Sequence, residues 1–370
     1  MVSLLIFIAN QAGDLSTLPS WALGGFVRPA KINPVISPRA NSHFLDPMSG
    51  AMVKWEESDT FNPGATIKNG HIVVLYRSED KTGVQIGTRT SRLGYAESSD
   101  GLHFNRHDKP VFFPAADNQR ENEWPGGCED PRIAVTEDGT YVMFYTQWNR
   151  KNARLGVATS RNLLNWTKHG PIFSKSGFSL PFYKSGSPVT TIKNGRQVLA
   201  KIHGKYWLYW GETAVYAATS ENLVDWRPVY DESGKVRPLI SPRKGFFDST
   251  LTECGPPAVL TDKGIVLIYN GKNGTGDDRD SRFTANAYCA GQVLFDKNDP
   301  LQPLARLDVP FFRPREAFEK SGQYTAGTVF TEGLTFFHDR WFLYYGCADS
   351  RVGVAVFDPK QPAPPDPISN

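Results

Sequence analysis

The acidic run Cys128-Glu129-Asp130-Pro131-Arg132 and two later glutamates, Glu212 after Trp207-Leu208-Tyr209-Trp210-Gly211 and Glu253 in Glu253-Cys254-Gly255-Pro256, are the groups of this chain best suited to move protons. Carboxylates that converge on one site suit cleavage of a glycosidic bond, where one protonates the leaving oxygen and another activates water. Two are needed because the two jobs demand opposite protonation states at one pH. Asp130 is the strongest single candidate, with an acid beside it and Arg132 two residues on. Neighbours on a strand face opposite ways, so Glu129 and Asp130 are not expected to share one job. On spacing alone Asp130-Pro131 serves equally well as a strand start, and Glu212 and Glu253 as solvated strand ends. Arg77, Arg89, Arg92, Lys184 and His203 are cations that could line the same mouth or only solvate loops. Trp124, in Glu123-Trp124-Pro125-Gly126-Gly127, stands outside any repeat and next to the acidic run, which makes it the aromatic expected to stack on a sugar ring.

A repeat must position these groups. Ala96-x-Ser98-x-Asp100-x-x-x-Phe104, Ala158-x-Ser160-x-Asn162-x-x-x-Trp166 and Ala218-x-Ser220-x-Asn222-x-x-x-Trp226 recur roughly every 60 residues, with looser copies at Tyr288 and Val352. Short Pro-led strands begin at Pro34, Pro110, Pro171, Pro238 and Pro310. Between them lie apolar strand pairs with turns at Asn69-Gly70, Asp138-Gly139 and Asn194-Gly195, dipeptides that favour the positive φ of tight hairpins. Runs such as HIVVLY, YVMFYT and IVLIYN are β-branched and aromatic and too short for helices. The expectation is an all-β, five-bladed propeller of four strands per blade, with the Pro34 strand completing the last blade and closing the ring. The inner strands would then be entered at Phe61-Asn62-Pro63-Gly64, Glu129-Asp130-Pro131-Arg132, Ser185-Gly186-Ser187-Pro188, Glu253-Cys254-Gly255-Pro256 and Thr325-Ala326-Gly327-Thr328. Trp166 and Trp226, at the repeat position of Phe104, are expected in the core.

The chain of 370 residues, with 12% aromatics and 40% hydrophobics, suits one large β core. A net charge of +3 without a basic run argues against nucleic acid as a partner. The spacing of Cys128, Cys254, Cys289 and Cys347 fits no zinc pattern, and buried free thiols are expected. Residues 1–29 read as an extension, a signal remnant or an arm, residues 30–359 as the catalytic propeller, and residues 360–370 as a disordered tail. The apolar residues 2–9 are too short to span a bilayer and lack the charged start of a secretory signal. Location is left between periplasm and cytoplasm of a bacterium, the periplasm slightly preferred. Residues 271–280 resemble a phosphate loop but lack its terminal Lys-Ser/Thr, so they read as a surface loop.

The strings Phe61-Asn62-Pro63, Tyr76-Arg77-Ser78-Glu79-Asp80, Ser91-Arg92-Leu93-Gly94, Glu129-Asp130-Pro131-Arg132 and Tyr344-Tyr345-Gly346-x-Ala348-Asp349 together resemble glycoside hydrolase family 130. The resemblance covers roughly residues 30–359. It implies a five-bladed propeller that acts on β-mannosides, as an inverting phosphorylase or as a β-1,2-mannosidase that uses water. It also implies Asp130 as general acid, acting on the leaving oxygen directly or through the mannose 3-hydroxyl. Asn62, Arg77, Arg132 and Asp349 match positions that hold the sugar in the −1 subsite. A phosphorylase needs Arg, Lys and His around its phosphate, whereas Glu212 and Glu253 resemble the paired glutamates of the hydrolytic subgroup. A carboxylate repels phosphate and accepts a proton from water. The expectation is therefore an inverting, exo-acting β-1,2-mannosidase with Glu212 or Glu253 as base. The alternative is a phosphorylase making mannose 1-phosphate, with Arg92, Lys184 and His203 supplying charge. A carbohydrate-binding propeller without catalysis is the alternative of another class. The expected partner is a β-mannoside oligosaccharide, with no cofactor or metal.

Overall fold

In a computed structural model of the protein, residues 18–180 and 182–361 are described. The long strands form five successive antiparallel units, and helix is confined to the single turns Arg120–Glu123 and Ala317–Glu319 among the described residues. The first unit is Asp59–Lys68, His71–Glu79, Ser91–Ser98 and Asn105–Arg106. The second is Gly127–Val135, Tyr141–Trp148, Ala153–Ser160 and Thr167–Pro171. In the third, Gly186–Lys193, Lys205–Trp210, Tyr216–Ser220 and Trp226–Pro228 pair in order. The fourth has an inner strand broken into Leu251–Cys254 and Ala258–Leu260, followed by Ile265–Lys272, Tyr288–Phe295 and Pro303–Arg306. The fifth holds Val329–Phe337, Arg340–Cys347 and Arg351–Phe357.

The second strand of each unit explains its sequence. In His71–Glu79, Ile72 through Tyr76 are all fully buried. A strand covered on both faces is apolar without alternation, and each such aliphatic side chain contributes about 1.5–3 kcal/mol by leaving water. The cores lie between units. One joins Leu75 and Tyr95 to Met143 and Tyr145, another joins Phe144 and Val157 to Leu208 and Trp226. A further one joins Ile72, Val74 and Tyr76 of the first unit to Phe342, Tyr344 and Val352 of the fifth.

The repeated Ser-x-Asp/Asn motif is a hydrogen-bonded turn that ends the third strand. Ser160 Oγ accepts the amide of Leu163, and Asn162 Oδ1 accepts those of Leu164 and Asn165. Ser220 and Asn222 repeat the pattern. The turn delivers Trp226 into the core, edge-on to Phe144, while Trp166 is half-buried against Phe112. The Pro-led segments are shorter than expected and mostly single bridges, Leu93 with Phe112, Val215 with Ile240 and Ala290 with Phe312. The Pro34 segment crosses to the fifth unit, where Ile36 pairs with Val352. Residues 18–29, read from sequence as an extension, also lie on the body: Val27 pairs with Val356, and Leu23 accepts and donates hydrogen bonds with Gln292. Residues 2–9 and the tail from residue 362 lie outside the described residues. All four cysteines are buried and unpaired. The loop at residues 271–280 is stapled by buried Asn273, which bonds the Asp280 carbonyl and amide.

Inner strands approach each other closely. A Cβ on Gly64 would stand 2.5 Å from the Pro131 carbonyl oxygen, and one on Gly333 2.8 Å from that of Pro63. The Asn69-Gly70, Gly139 and Gly195 turns at the far ends of these strands surround a cavity of about 750 Å³ that holds none of the predicted catalytic carboxylates. Because backbone cannot yield as a flexible side chain can, Gly64→Ala is expected to cost about 1–3 kcal/mol. Calorimetry should show a lowered Tm; an unchanged Tm would mean that these strands are not in hard contact.

Candidate active site

At the opposite end of the inner strands, three of them carry a one-residue bulge at the same level. The ladder slips between Phe61 and Pro63, between Glu129 and Arg132, and between Thr331 and Gly333. Asn62 and Asp130 sit there at φ of 45° and 52°. A bulge interrupts alternation and re-aims a side chain. This corrects the expectation that Glu129 and Asp130 face apart, for both reach the Arg77 guanidinium. Arg77 Nη2 lies 2.9 Å from Glu129 and 2.7 Å from Glu79, and Nη1 lies 3.1 Å from Asp130 Oδ1. Asn62 Nδ2 donates to the same Asp130 oxygen at 2.9 Å, and the buried Asn62 Oδ1 has no partner. Ser91 Oγ bonds Glu79 and Glu129.

Lys184 is the second cation of the site. Its Nζ lies 3.3 Å from Glu253 Oε1, 3.7 Å from Glu212 Oε1 and 3.8 Å from Asp130 Oδ2. The three carboxylates singled out from sequence thus share one ammonium. Glu253 is buried and accepts the Ser185 hydroxyl at 2.5 Å, whereas Glu212 is half-exposed. A smaller cavity, about 230 Å³, opens beside Glu212 and is lined by Trp210, Tyr183, Phe178 and Phe182.

Burial would raise the Asp130 carboxyl, but Arg77, Lys184, Arg132 and the Asn62 amide outweigh it and hold it below the usual range, hence ionised. Burial pushes Glu129 up to about 7, and Asp130 and Glu79 add to this against Arg77. Asp349, at φ 52° and half-buried, is also raised to about 7 by burial, opposed by Arg77 and assisted by Asp130. Glu253 is raised by burial and by Glu212, against Lys184. Lys184 resists burial because Glu212, Glu253 and Asp130 raise its pKa.

The structure brings together Asn62, Arg77, Asp130, Lys184, Glu212, Glu253 and Asp349, and it moves three predicted residues elsewhere. Arg92 alternates with Ser91, so it points away from Arg77 and forms buried pairs with Asp46 at 2.5 Å and Asp80 at 2.7 Å. His203 is exposed in the His203-Gly204 turn, at the end of Lys205–Trp210 remote from Glu212, and bonds the Asn298 carbonyl. Arg132 is wholly buried with its guanidinium on backbone carbonyls, leaving no surface for a sugar. Arg89 is held by Asp59 and Gln323. Trp124 ends the helical turn Arg120–Glu123, half-buried, two residues before Gly126, whose carbonyl accepts the Ser91 amide.

Sequence reasoning missed Glu332, the bulge residue of the fifth inner strand, because the strand was taken to start at Thr325. In the ladders Thr331-Glu332-Gly333 corresponds to Phe61-Asn62-Pro63, with Glu332 in the place of Asn62, and no shared residue type marks that correspondence in the sequence. Glu332 is fully buried, and burial pushes it well above the carboxylate range despite Arg132.

These shifts have a consequence for stability. Folded Glu129 keeps its proton up to about pH 7, while an unfolded chain releases it near 4.5. Its contribution is therefore complete below pH 4.5 and lost as pH rises to about 7; Asp130, lowered, contributes above its ordinary value of 3.8 and loses that as pH falls. Tm should decline between about pH 4.5 and 7, and Glu129→Gln should flatten part of that decline. An unaltered slope in the variant would place the proton elsewhere.

A family model described as β-1,4-mannooligosaccharide phosphorylase matches residues 41–361. A 1,2-β-oligomannan phosphorylase of Thermoanaerobacter sp. (strain X514) is 33% identical over 331 residues, 88% of this chain and 95% of the relative. A solved structure from work on glycoside hydrolases of the family that target β-1,2 mannosidic linkages in Candida mannan is 61% identical, with a TM-score of 0.94 over 95% of this chain and 99% of that one. A glycosyl hydrolase from Bacteroides ovatus is likewise 61% identical, with a TM-score of 0.94 over 96% and 99%. With its bulged inner strands, its clustered carboxylates and these relatives, the chain belongs to glycoside hydrolase family 130 and is a glycoside-active enzyme of that family.

Proposed function

We propose that the protein removes mannose from the end of β-1,2-linked mannosides by hydrolysis with inversion. The observation that carries this reading is the pairing of Glu253 and Glu212 around Lys184, at 3.3 and 3.7 Å. Two carboxylates neutralise the ammonium that a phosphate nucleophile would need and stand ready to take a proton from water. Lys184 also caps the separation of Asp130 and Glu253, since both lie within 3.8 Å of its nitrogen. That limit falls at the short end of the roughly 6.5–9.5 Å used by inverting enzymes.

In this reading water attacks the anomeric carbon, its proton passes to Glu253 or Glu212, and the C–O bond to the leaving sugar breaks as that oxygen gains a proton. Asp130, held ionised, needs a proton before it can serve as acid, directly or through a sugar hydroxyl. Glu129 and Asp349, both raised to about 7, are the groups that carry one near neutral pH, and Arg77 joins Glu129 to Asp130. The acid is thus a coupled cluster rather than one residue. Asn62, Arg77 and Asp349 line the −1 subsite, and Trp124 offers a ring.

Phosphorolysis is the second reading, and the names of the curated relatives favour it over hydrolysis: the matches at 33% and 27% identity are phosphorylases of β-1,2-mannosides. Against it, two of the cations assigned to phosphate, Arg92 and His203, lie away from Lys184. As to architecture, we read the five units as blades of one closed propeller. The core between the first and fifth units and the Ile36–Val352 bridge support this.

Proton NMR of β-1,2-mannobiose incubations, with and without inorganic phosphate, separates the two readings. Free α-mannose formed at equal rates is expected; mannose 1-phosphate formed only with phosphate would replace hydrolysis by phosphorolysis. Asp130→Asn and Glu253→Gln should each lower kcat about 10²–10⁴-fold in protein that still folds, and full activity in either would remove that residue from the chemistry.

A further inference from the structure

We infer that Arg132 is a positioning residue that sets the distance between the acid and base strands from beneath the site. The inference rests on the reading of Asp130 and Glu253 as the acid and base of mannoside cleavage. Arg132 Nη1 donates to the Asp130 carbonyl at 2.9 Å, Nη2 to the Cys254 carbonyl at 2.8 Å and Nε to the Gly255 carbonyl at 3.3 Å. One rigid, planar guanidinium therefore ties the peptide that carries Asp130 to the peptide that follows Glu253. These segments belong to the second and fourth units, which share no strand pairing among the described residues.

The backbone it holds is the part least able to hold itself. Asp130 is at φ 52° in a bulge where the ladder skips from Glu129 to Arg132. The fourth inner strand is broken after Cys254, at Gly255-Pro256-Pro257. Carbonyls beside such gaps need donors, and a buried orphan carbonyl costs about as much as a lost hydrogen bond. Arg132 satisfies them with directional donors. Ser187 adds a hydroxyl to the Gly255 carbonyl at 2.9 Å.

Glu332 completes the arrangement from the fifth unit. Its Oε1 lies 2.9 Å from Arg132 Nη1, yet neither oxygen accepts a directed hydrogen bond, so the guanidinium spends its directional donors on backbone. Replacing both side chains with apolar ones removes the buried guanidinium charge together with the carboxyl that faces it. A small misplacement of reacting groups costs up to about 10²-fold in rate.

The test compares Arg132→Lys, Glu332→Gln and the double variant Arg132→Met/Glu332→Met, following kcat and KM on β-1,2-mannobiose and amide exchange in peptides spanning residues 127–133 and 251–257. Arg132→Lys should lower kcat about 10²-fold with KM little changed, and exchange should rise in those two peptides alone. Glu332→Gln should keep kcat within a few-fold. If Arg132→Lys does not fold, the double variant, free of unpaired charge, should show the same kcat loss and local exchange. Wild-type kcat and exchange in a folded Arg132 variant would overturn the inference, as would a rise in KM alone, which would return Arg132 to sugar binding. Should the wild type cleave no mannoside, the reading of the reaction fails, and the exchange measurements still decide whether the strap exists.

Discussion

Six carboxyl groups from all five units meet within reach of two cations, and that electrostatic compromise is the constraint on which the site depends. Asp130, Glu129 and Glu79 share Arg77; Asp130, Glu212 and Glu253 share Lys184; Asp349 feels both cations. Like charges at this spacing repel strongly in a medium poorer than water. The cluster relieves the repulsion in two ways at once, by inserting the cations and by retaining protons on Glu129 and Asp349. Asp130 belongs to both cation shells and is the group driven hardest towards ionisation. The carboxylate with the best claim to the chemistry is therefore also the one whose protonation is set by every neighbour.

The protein can hold such a cluster because the backbone around it is fixed independently of the charges. Cores between neighbouring units carry the stability, and the inner strands are pressed together at Gly64 and Gly333. Bulges at Asn62, Asp130 and Glu332 then turn side chains that would alternate outward towards the place where the units meet. Positive φ at Asn62 and Asp130 is the local strain that this requires, and Asn and Asp are the non-glycine residues that tolerate it best.

Much of this was legible in the chain itself. Strand order, hairpin turns, the Ser-x-Asx turn and the packing of Trp226 follow from periodicity and turn chemistry, which are local. So does the gathering of Asp130, Glu212 and Glu253, once the starts of inner strands are taken as one level. The failures share a physical cause. Residue type groups Arg92 with the other cations, but alternation turns it away; alternation sets Glu129 apart from Asp130, but the bulge interrupts it. His203 was grouped with other cations, although its dipeptide with Gly204 is a hairpin turn like Asn194-Gly195. Glu332 escaped notice because no pattern separates a bulge from an ordinary strand without the partner strand in view.

The bridge between Ile36 and Val352 has a meaning for how the molecule is made. A segment that precedes the first unit finds its partner in the fifth. Contacts of such sequence separation are slow to form, because chain closure must be achieved before any pairing energy is returned. Four units can assemble in order as they emerge, each core completed by the next unit. The fifth unit also pairs with the Ile36 segment, so that bridge joins two stretches between which all the other units lie.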